Sequence, residues 1–389
     1  MTRLPEQSDV VVVGLGALGS AAAFHLARRG LRVVGLEQFD LGHVKGASHD
    51  TSRILRHSYH TPEYIELTKA AYDDWADLES ESGEDLVTVV GGLDFFPPGA
   101  AIPVEDYTRS MEATGIPFES LDVAAVAERW PQFHLPDGTV SLYQARSAIV
   151  PAARGTATMQ ARARAHRATL IDNCPATSLQ PDGDGVLLTT PLGRISAERV
   201  VLTADAWTNH LLAGLGLSIP LTTTVEQVTY FAPPDPSIYH PDRMPLWIWM
   251  DEPSFYGFPC YGEATVKAAE DCGGPVSDPD DRPFTDDPGM RERLVEHLAR
   301  MLPQAGAAVR SVRCLYTLTP DRDFVLDAAP GHPNVVVGLG AGHGFKFAPT
   351  FGRLLADLVE SGSTSADIHD FRLDRPGLTD PDYSPHWLI

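Results

Sequence analysis

The strongest constraint on this fold lies near the start of the chain, in the run SDVVVVGLGALGSAAAFHLARRGLRVVGLEQFD at Ser8–Asp40. Val10–Val13 is a continuous β-branched stretch, as a strand buried on both faces requires. Gly14, Gly16 and Gly19 follow at once in GxGxxG spacing. A helical pattern over Ala21–Arg29 comes next and stops at Gly30. Leu31–Leu36 then reads as a second strand, ending at Glu37. Each part has a physical job. Gly14 permits the tight turn, Gly16 lets backbone approach a pyrophosphate, and Gly19 lets helix pack on strand. The helix start attracts phosphates. Glu37, 23 residues after Gly14, is placed to accept hydrogen bonds from a ribose. A bare GxGxxG is weak, but the full order of strand, turn, helix, strand and acid points to a dinucleotide site. It does not separate NAD from FAD.

With 389 residues the chain has room for about two domains or one large core with an insertion. A 43% apolar share is enough for a sizeable core, and the formal net charge of −22 argues against nucleic acid and anionic membranes. The most apolar segment, Val10–Ala27, is broken by the motif glycines and by His25, so no membrane span is expected. Glu6 and Asp9 precede it and make a poor signal peptide, which leaves the cytoplasm as the expected location. Cys174, Cys260, Cys272 and Cys314 form no CxxC pair, so no zinc site is expected. A bridge between Cys260 and Cys272 is conceivable, but a cytosolic chain of this size does not need it.

The next informative stretch is GASHDTSRILRHSYHTPEYIELTKAAYDDWADLE. Thr61 and Pro62 predict a helix start, with Tyr64, Leu67, Ala71, Trp75 and Leu78 lining its core face. Before it stand His49, Arg53, Arg56, His57 and His60. They are readable as a solvated basic loop or as an anion site. The histidines lack the ligand spacing of a metal centre. Arg53 and Arg56 are three apart and would share a face in a helical turn, one clamping a carboxylate and the other beside the cofactor.

Further along, Ala168–Ile171, Gly185–Thr190 and Arg199–Thr203 predict a small meander. Phe255–Pro259 and Ala264–Ala269 predict neighbouring antiparallel strands. The acidic loop Glu270–Gly289 lacks calcium-loop spacing and reads as solvated. Near the end, NVVVGLGAGHGFKFAPTFGRLLADLVESG gives a buried strand, a glycine-rich turn and a long helix. That turn holds Lys346, one of only four lysines against 26 arginines. Lys is a compact point charge and Arg a wide fork, so a lysine here marks a position with its own demand.

Taken together, GLGALG with Glu37, TSRILRHSY, FYGFP followed by a strand lysine, RCLYTLTPD and GAGHGFKF resemble the monomeric sarcosine oxidase and N-methyltryptophan oxidase family of flavin amine oxidases. The resemblance runs over nearly the whole chain. It implies a mixed α/β (α+β) architecture: a Rossmann-like FAD-binding domain over residues 1–88, 144–222 and 315–389, interleaved with a catalytic domain over 89–143 and 223–314, built on an antiparallel sheet with helices. It implies FAD, held by Gly14, Gly16, Gly19, Glu37, Gly342 and Gly344 and joined covalently to Cys314. It implies that Arg56 and Lys346 bind the substrate carboxylate. Tyr256 and Tyr316 would line the substrate pocket, and Arg53, His49 and Lys267 would stand near the flavin, Lys267 as the cation that activates O2. The expected substrate is a secondary or N-methyl amino acid with a free carboxylate, or alternatively a cyclic imino acid or biosynthetic intermediate. The expected products are an imine and hydrogen peroxide, from a monomer or small homo-oligomer.

Two positions depart from the family pattern. Asp205 stands where the family usually has glycine. Asp271 stands where the family has a pocket histidine, and as a free anion it would select a substrate with a second positive group. Trp247 and Trp249 are readable either as reshaping the pocket or as core.

Overall fold

The strand Gln7–Val13 sits inside an eight-stranded sheet, where its valines are covered on both faces. It runs parallel to Gly193–Leu202 on one side, with Val13 opposite Leu202, and to Val33–Leu36 on the other. On its other side, Gly193–Leu202 serves two further partners along its length. Its first half pairs antiparallel with Gly185–Thr190, and its last residues pair parallel with His332–Leu339. The computed structural model describes residues 4–387. The expected meander is only partly present. Thr169–Ile171 leaves it and runs parallel to Val33–Leu36 at the far edge, because the helix Ala152–Ala165 delivers it there.

The glycine turn works as the motif requires. The helix Ala17–Arg28 begins directly at it, four residues earlier than periodicity suggested, and packs against the helices Ala152–Ala165 and Ala348–Ser361. A methyl group on Gly19 would lie 1.9 Å from the Gly14 carbonyl oxygen and 2.5 Å from Thr203 Oγ1, so only glycine allows this approach of helix to strand.

The second large sheet also has eight strands and is antiparallel at every pairing except Gly92–Phe96 with Leu246–Trp249. Its long strand Ala307–Leu318 pairs with Thr222–Ala232, which pairs in turn with Val266–Asp271 and so reaches Ser254–Phe258. The boundary placed between residues 314 and 315 therefore falls inside a strand that stays in this sheet to Leu318. Trp247 and Trp249 pack around His297 in this half, at 6.2 and 5.2 Å between ring centroids, and neither lines the main cleft. A small third sheet joins Arg53–Leu55 to Ala148–Val150, which also pairs with Thr88–Val89. The helix Pro62–Ser82 starts where expected, but the Thr61 hydroxyl makes no capping bond. All four cysteines are free, and among the described residues no helix is long and apolar enough to cross a membrane.

Candidate functional site

One continuous cleft opens between the two large sheets, from the Gly14–Gly19 turn to the Gly340–Lys346 turn. At the nucleotide end Glu37 is buried at the tip of its strand. Its carboxylate accepts from Leu15 N at 2.8 Å and from Phe39 N at 3.1 Å, which ties the second strand to the glycine turn. Ser48 Oγ accepts from Ala17 N at 2.9 Å and brings the loop that follows against the helix start. Gly14, Gly16, Glu37, Gly342 and Gly344 all line the cleft, while Gly19 works behind them by letting the helix close in. A dinucleotide with a flat ring system fits this cradle: an amide-lined turn, an acid at the ribose position and a cleft extending past both. Asp205 also lines it, at φ 48, with burial pushing its carboxyl up to about 6.

At the other end of the cleft, three cations gather. Arg56 is buried and pairs with Asp94 at 3.1 Å. Arg322 is 2% exposed and grips Asp271 with two nitrogens, at 2.8 and 3.0 Å. Lys346, 8% exposed, donates to the His343 carbonyl at 2.9 Å and has no carboxylate within ion-pair distance among the described residues. Its backbone is fixed by Trp75 Nε1, which donates to the Lys346 carbonyl at 2.8 Å. Arg56 and Lys346 meet over one ring: the guanidinium lies 4.7 Å and the ammonium 5.7 Å from the Tyr59 centroid. Burial, then the charges of Arg56 and Arg322, hold the Lys346 ammonium well below the usual lysine range. Burial alone would lower Arg56 and Arg322 too, but their carboxylate partners outweigh it and keep both charged. Tyr256 and Tyr316 line the same region as neutral phenols, raised by burial.

Four expectations for this region need correction or refinement. Arg53 and Arg56 do not share a helical turn. Arg53–Leu55 is a strand, so Arg53 turns back on its own loop and donates to the carbonyls of Ala47, His49 and Ser52, while Arg56 just beyond reaches Asp94. Asp271 lines the cleft but is not a free anion, because Arg322 already neutralises it. His49 lies behind the cleft surface, its Nε2 without a partner, and burial with Arg53 nearby lowers it to about 4, a neutral ring. Lys267 and Cys314 also sit just behind the lining rather than in it. Burial pushes the Cys314 thiol up to about 11 although Arg53 pulls the other way. The flanking residues Leu315, Tyr316 and Phe258 reach the cleft surface.

Sequence reasoning missed Asp94, Arg322 and Asp50. Asp94 was findable: it is the one acid in the apolar run Gly91–Phe96. Arg322 directly follows the RCLYTLTPD motif, but nothing local says that it folds onto residue 271.

The comparisons agree with this geometry. A family model described as FAD dependent oxidoreductase matches residues 9–358. The chain is 34% identical over 383 residues to a monomeric sarcosine oxidase from Streptomyces avermitilis, covering 96% of this chain and 97% of that one. It is 29% identical to an N-methyl-L-tryptophan oxidase from Salmonella arizonae, over 94% of this chain and 98% of that one. Among solved structures, NikD, described as an unusual amino acid oxidase essential for nikkomycin biosynthesis, superposes with a TM-score of 0.85 at 30% identity, over 95% of this chain and 98% of that one. With a nucleotide cradle and a matching model that spans most of its length, this chain belongs to the FAD dependent oxidoreductase family and is an enzyme.

Proposed function

We propose that the enzyme oxidises a secondary or N-methyl amino acid at the carbon beside nitrogen, with O2 as final acceptor and hydrogen peroxide as co-product. The observation that carries this reading is the charge balance around Tyr59. Three cations face two carboxylates, which leaves one unbalanced positive charge, on Lys346. A single carboxylate completes the set. A substrate's anionic end would lie between Lys346 and Arg56, and the tyrosines Tyr256 and Tyr316 would close over its apolar part. FAD bound in this cleft would supply the hydride acceptor and the route for electrons to O2. The glycine turn and Glu37 would hold its nucleotide half, Gly342 and Gly344 would border its ring, and Arg53 would stand beside that ring. The product imine is released to water, which hydrolyses it.

The finer parts of the reading are a covalent tether at Cys314, Lys267 as the cation that favours electron transfer to O2, and action in the cytoplasm as a monomer or small homo-oligomer. The free state of all four cysteines is in keeping with a reducing compartment. A second substrate class, a cyclic imino acid or biosynthetic intermediate, is favoured by one observation: the Arg322–Asp271 fork gives the cleft a polar wall. The similarity to NikD supports it as well.

The test is a peroxide assay of the yellow protein against N-methyl amino acids, cyclic imino acids and their methyl esters. Acids are oxidised and esters are not. Esters turned over as fast as the acids would overturn the carboxylate reading. Acid precipitation reads out the tether separately: the pellet stays yellow in wild type and bleaches in Cys314→Ser.

A further inference from the structure

Three protein oxygens surround the Lys267 ammonium, one of them a carboxylate's. Its Nζ lies 2.6 Å from Asp50 Oδ2 in an ion pair, and donates to Ser52 O at 3.0 Å and to Ser52 Oγ at 3.1 Å. Both charged side chains are out of solvent, 3% exposed for Lys267 and 6% for Asp50. The other oxygen of Asp50 accepts from Tyr230 OH at 2.5 Å, and Thr51 Oγ1 bonds the same phenol at 3.0 Å. Lys267 stands on the strand Val266–Asp271, directly across from Tyr230 on one neighbouring strand and Phe258 on the other.

Asp50 holds this place at a cost. Its φ is 76, in the left-handed region where a side chain is strained and glycine is not. A loop that needed only the turn would be served better by glycine. The carboxylate is the reason for tolerating the conformation, and the group it reaches is the lysine.

We infer that Asp50 is a positioning residue for the oxygen step: its carboxylate anchors Lys267 behind the flavin site and keeps it an ammonium. This inference rests on the reading of Lys267 given above. Without Asp50, every charged neighbour works against that ammonium. Arg53 repels it from the strand Arg53–Leu55, and burial opposes any charge there. Tyr230 on Thr222–Ala232 is a neutral phenol, His49 on the same loop as Asp50 is a neutral ring, and Cys314 on Ala307–Leu318 is a protonated thiol. None of them replaces the lost anion. Burial and Arg53 already bring Lys267 down to about 8 with Asp50 in place.

The chain's four lysines make a direct test possible. Lysine labelled at the side-chain nitrogen and adjoining carbon gives few enough resonances for each to be followed by NMR in the flavin-loaded protein, and Lys267→Met assigns the one of interest. In Asp50→Asn and in Asp50→Gly, which suits the left-handed turn, the Lys267 titration should move down by about one pH unit or more. The high-pH limb of the reaction of reduced enzyme with O2 should move with it, and Asp50→Asn should add nothing in a Lys267→Met background. If the resonance and the limb stay where they are in both Asp50 variants, the inference is overturned while the role of Lys267 stands. If Lys267→Met leaves the oxygen step unchanged, the underlying reading of Lys267 fails instead.

Discussion

Arg322 holds Asp271 in a two-pronged fork, Nη1 to Oδ2 at 2.8 Å and Nη2 to Oδ1 at 3.0 Å, at the edge of the substrate region. The pair removes one positive and one negative charge from a wall that would otherwise be dominated by cations. On the proposed reading Asp271 would set how many anionic groups the cleft accepts.

Asp271→Asn should therefore change selectivity in a direction opposite to that expected of a free anion. It leaves Arg322 uncompensated, so amino acids with a second carboxylate should gain about tenfold in kcat/KM relative to monocarboxylates. The buried arginine also loses its partner, at a stability cost of about 3 kcal/mol, read as a lower urea midpoint. Unchanged preference between sarcosine and an N-methyl dicarboxylic amino acid would refute the charge-balance account.

Lys346→Met should raise KM for the acid substrate about 100-fold, with a smaller effect on any substrate lacking the carboxylate. The pH dependence follows from the lowered lysine. On the proposed reading the free enzyme binds its anionic substrate only while Lys346 is charged, and burial with Arg56 and Arg322 nearby makes it lose its proton below the usual lysine range. KM should thus climb as pH rises, well before ordinary lysines titrate, and steady-state kinetics across pH in Lys346→Met should lack that climb.

Asp205 makes a stability prediction. Its folded carboxyl sits near about 6, above the 3.8 of an unperturbed aspartate, because burial penalises the charge. A raised acid stabilises the fold below its unfolded value and loses that contribution as pH rises through the folded one. Wild type should lose about 2–3 kcal/mol between pH 4 and pH 7 from this group alone. Asp205→Asn should lack that loss, and Asp205→Gly should in addition relieve the strain of φ 48. Urea midpoints at the two pH values, compared between variants, check it.

Gly342 turns at φ 80 against Tyr316, and a methyl group there would come within 2.8 Å of the Tyr316 ring. Gly342→Ala should cost about 2 kcal/mol in stability and push that ring off its place in the cleft. A thermal midpoint together with kcat/KM would register both effects, and a fully active, equally stable variant would contradict the close packing.

The nucleotide half of this enzyme was legible from its residues alone, because its physics is local. A β-branched run, three glycines at fixed spacing, a helix and an acid at a strand end each do their work within about forty residues of one another, and Gly14, Gly16, Gly19 and Glu37 fold as that pattern requires. The family resemblance likewise brought Arg56 and Lys346 to one place before any coordinates did. Tertiary structure alone decided which charges cancel. Asp94 meets Arg56 across 38 positions of sequence, Arg322 meets Asp271 across 51, and Lys267 meets Asp50 across 217. Such pairs are set by how sheets stack and strands register, and a carboxylate becomes a partner only when folding removes it from water beside a specific cation. That is why Asp271 looked free in the sequence and is bound in the fold, and why, of the three cations around Tyr59, Lys346 is left without a carboxylate partner among the described residues.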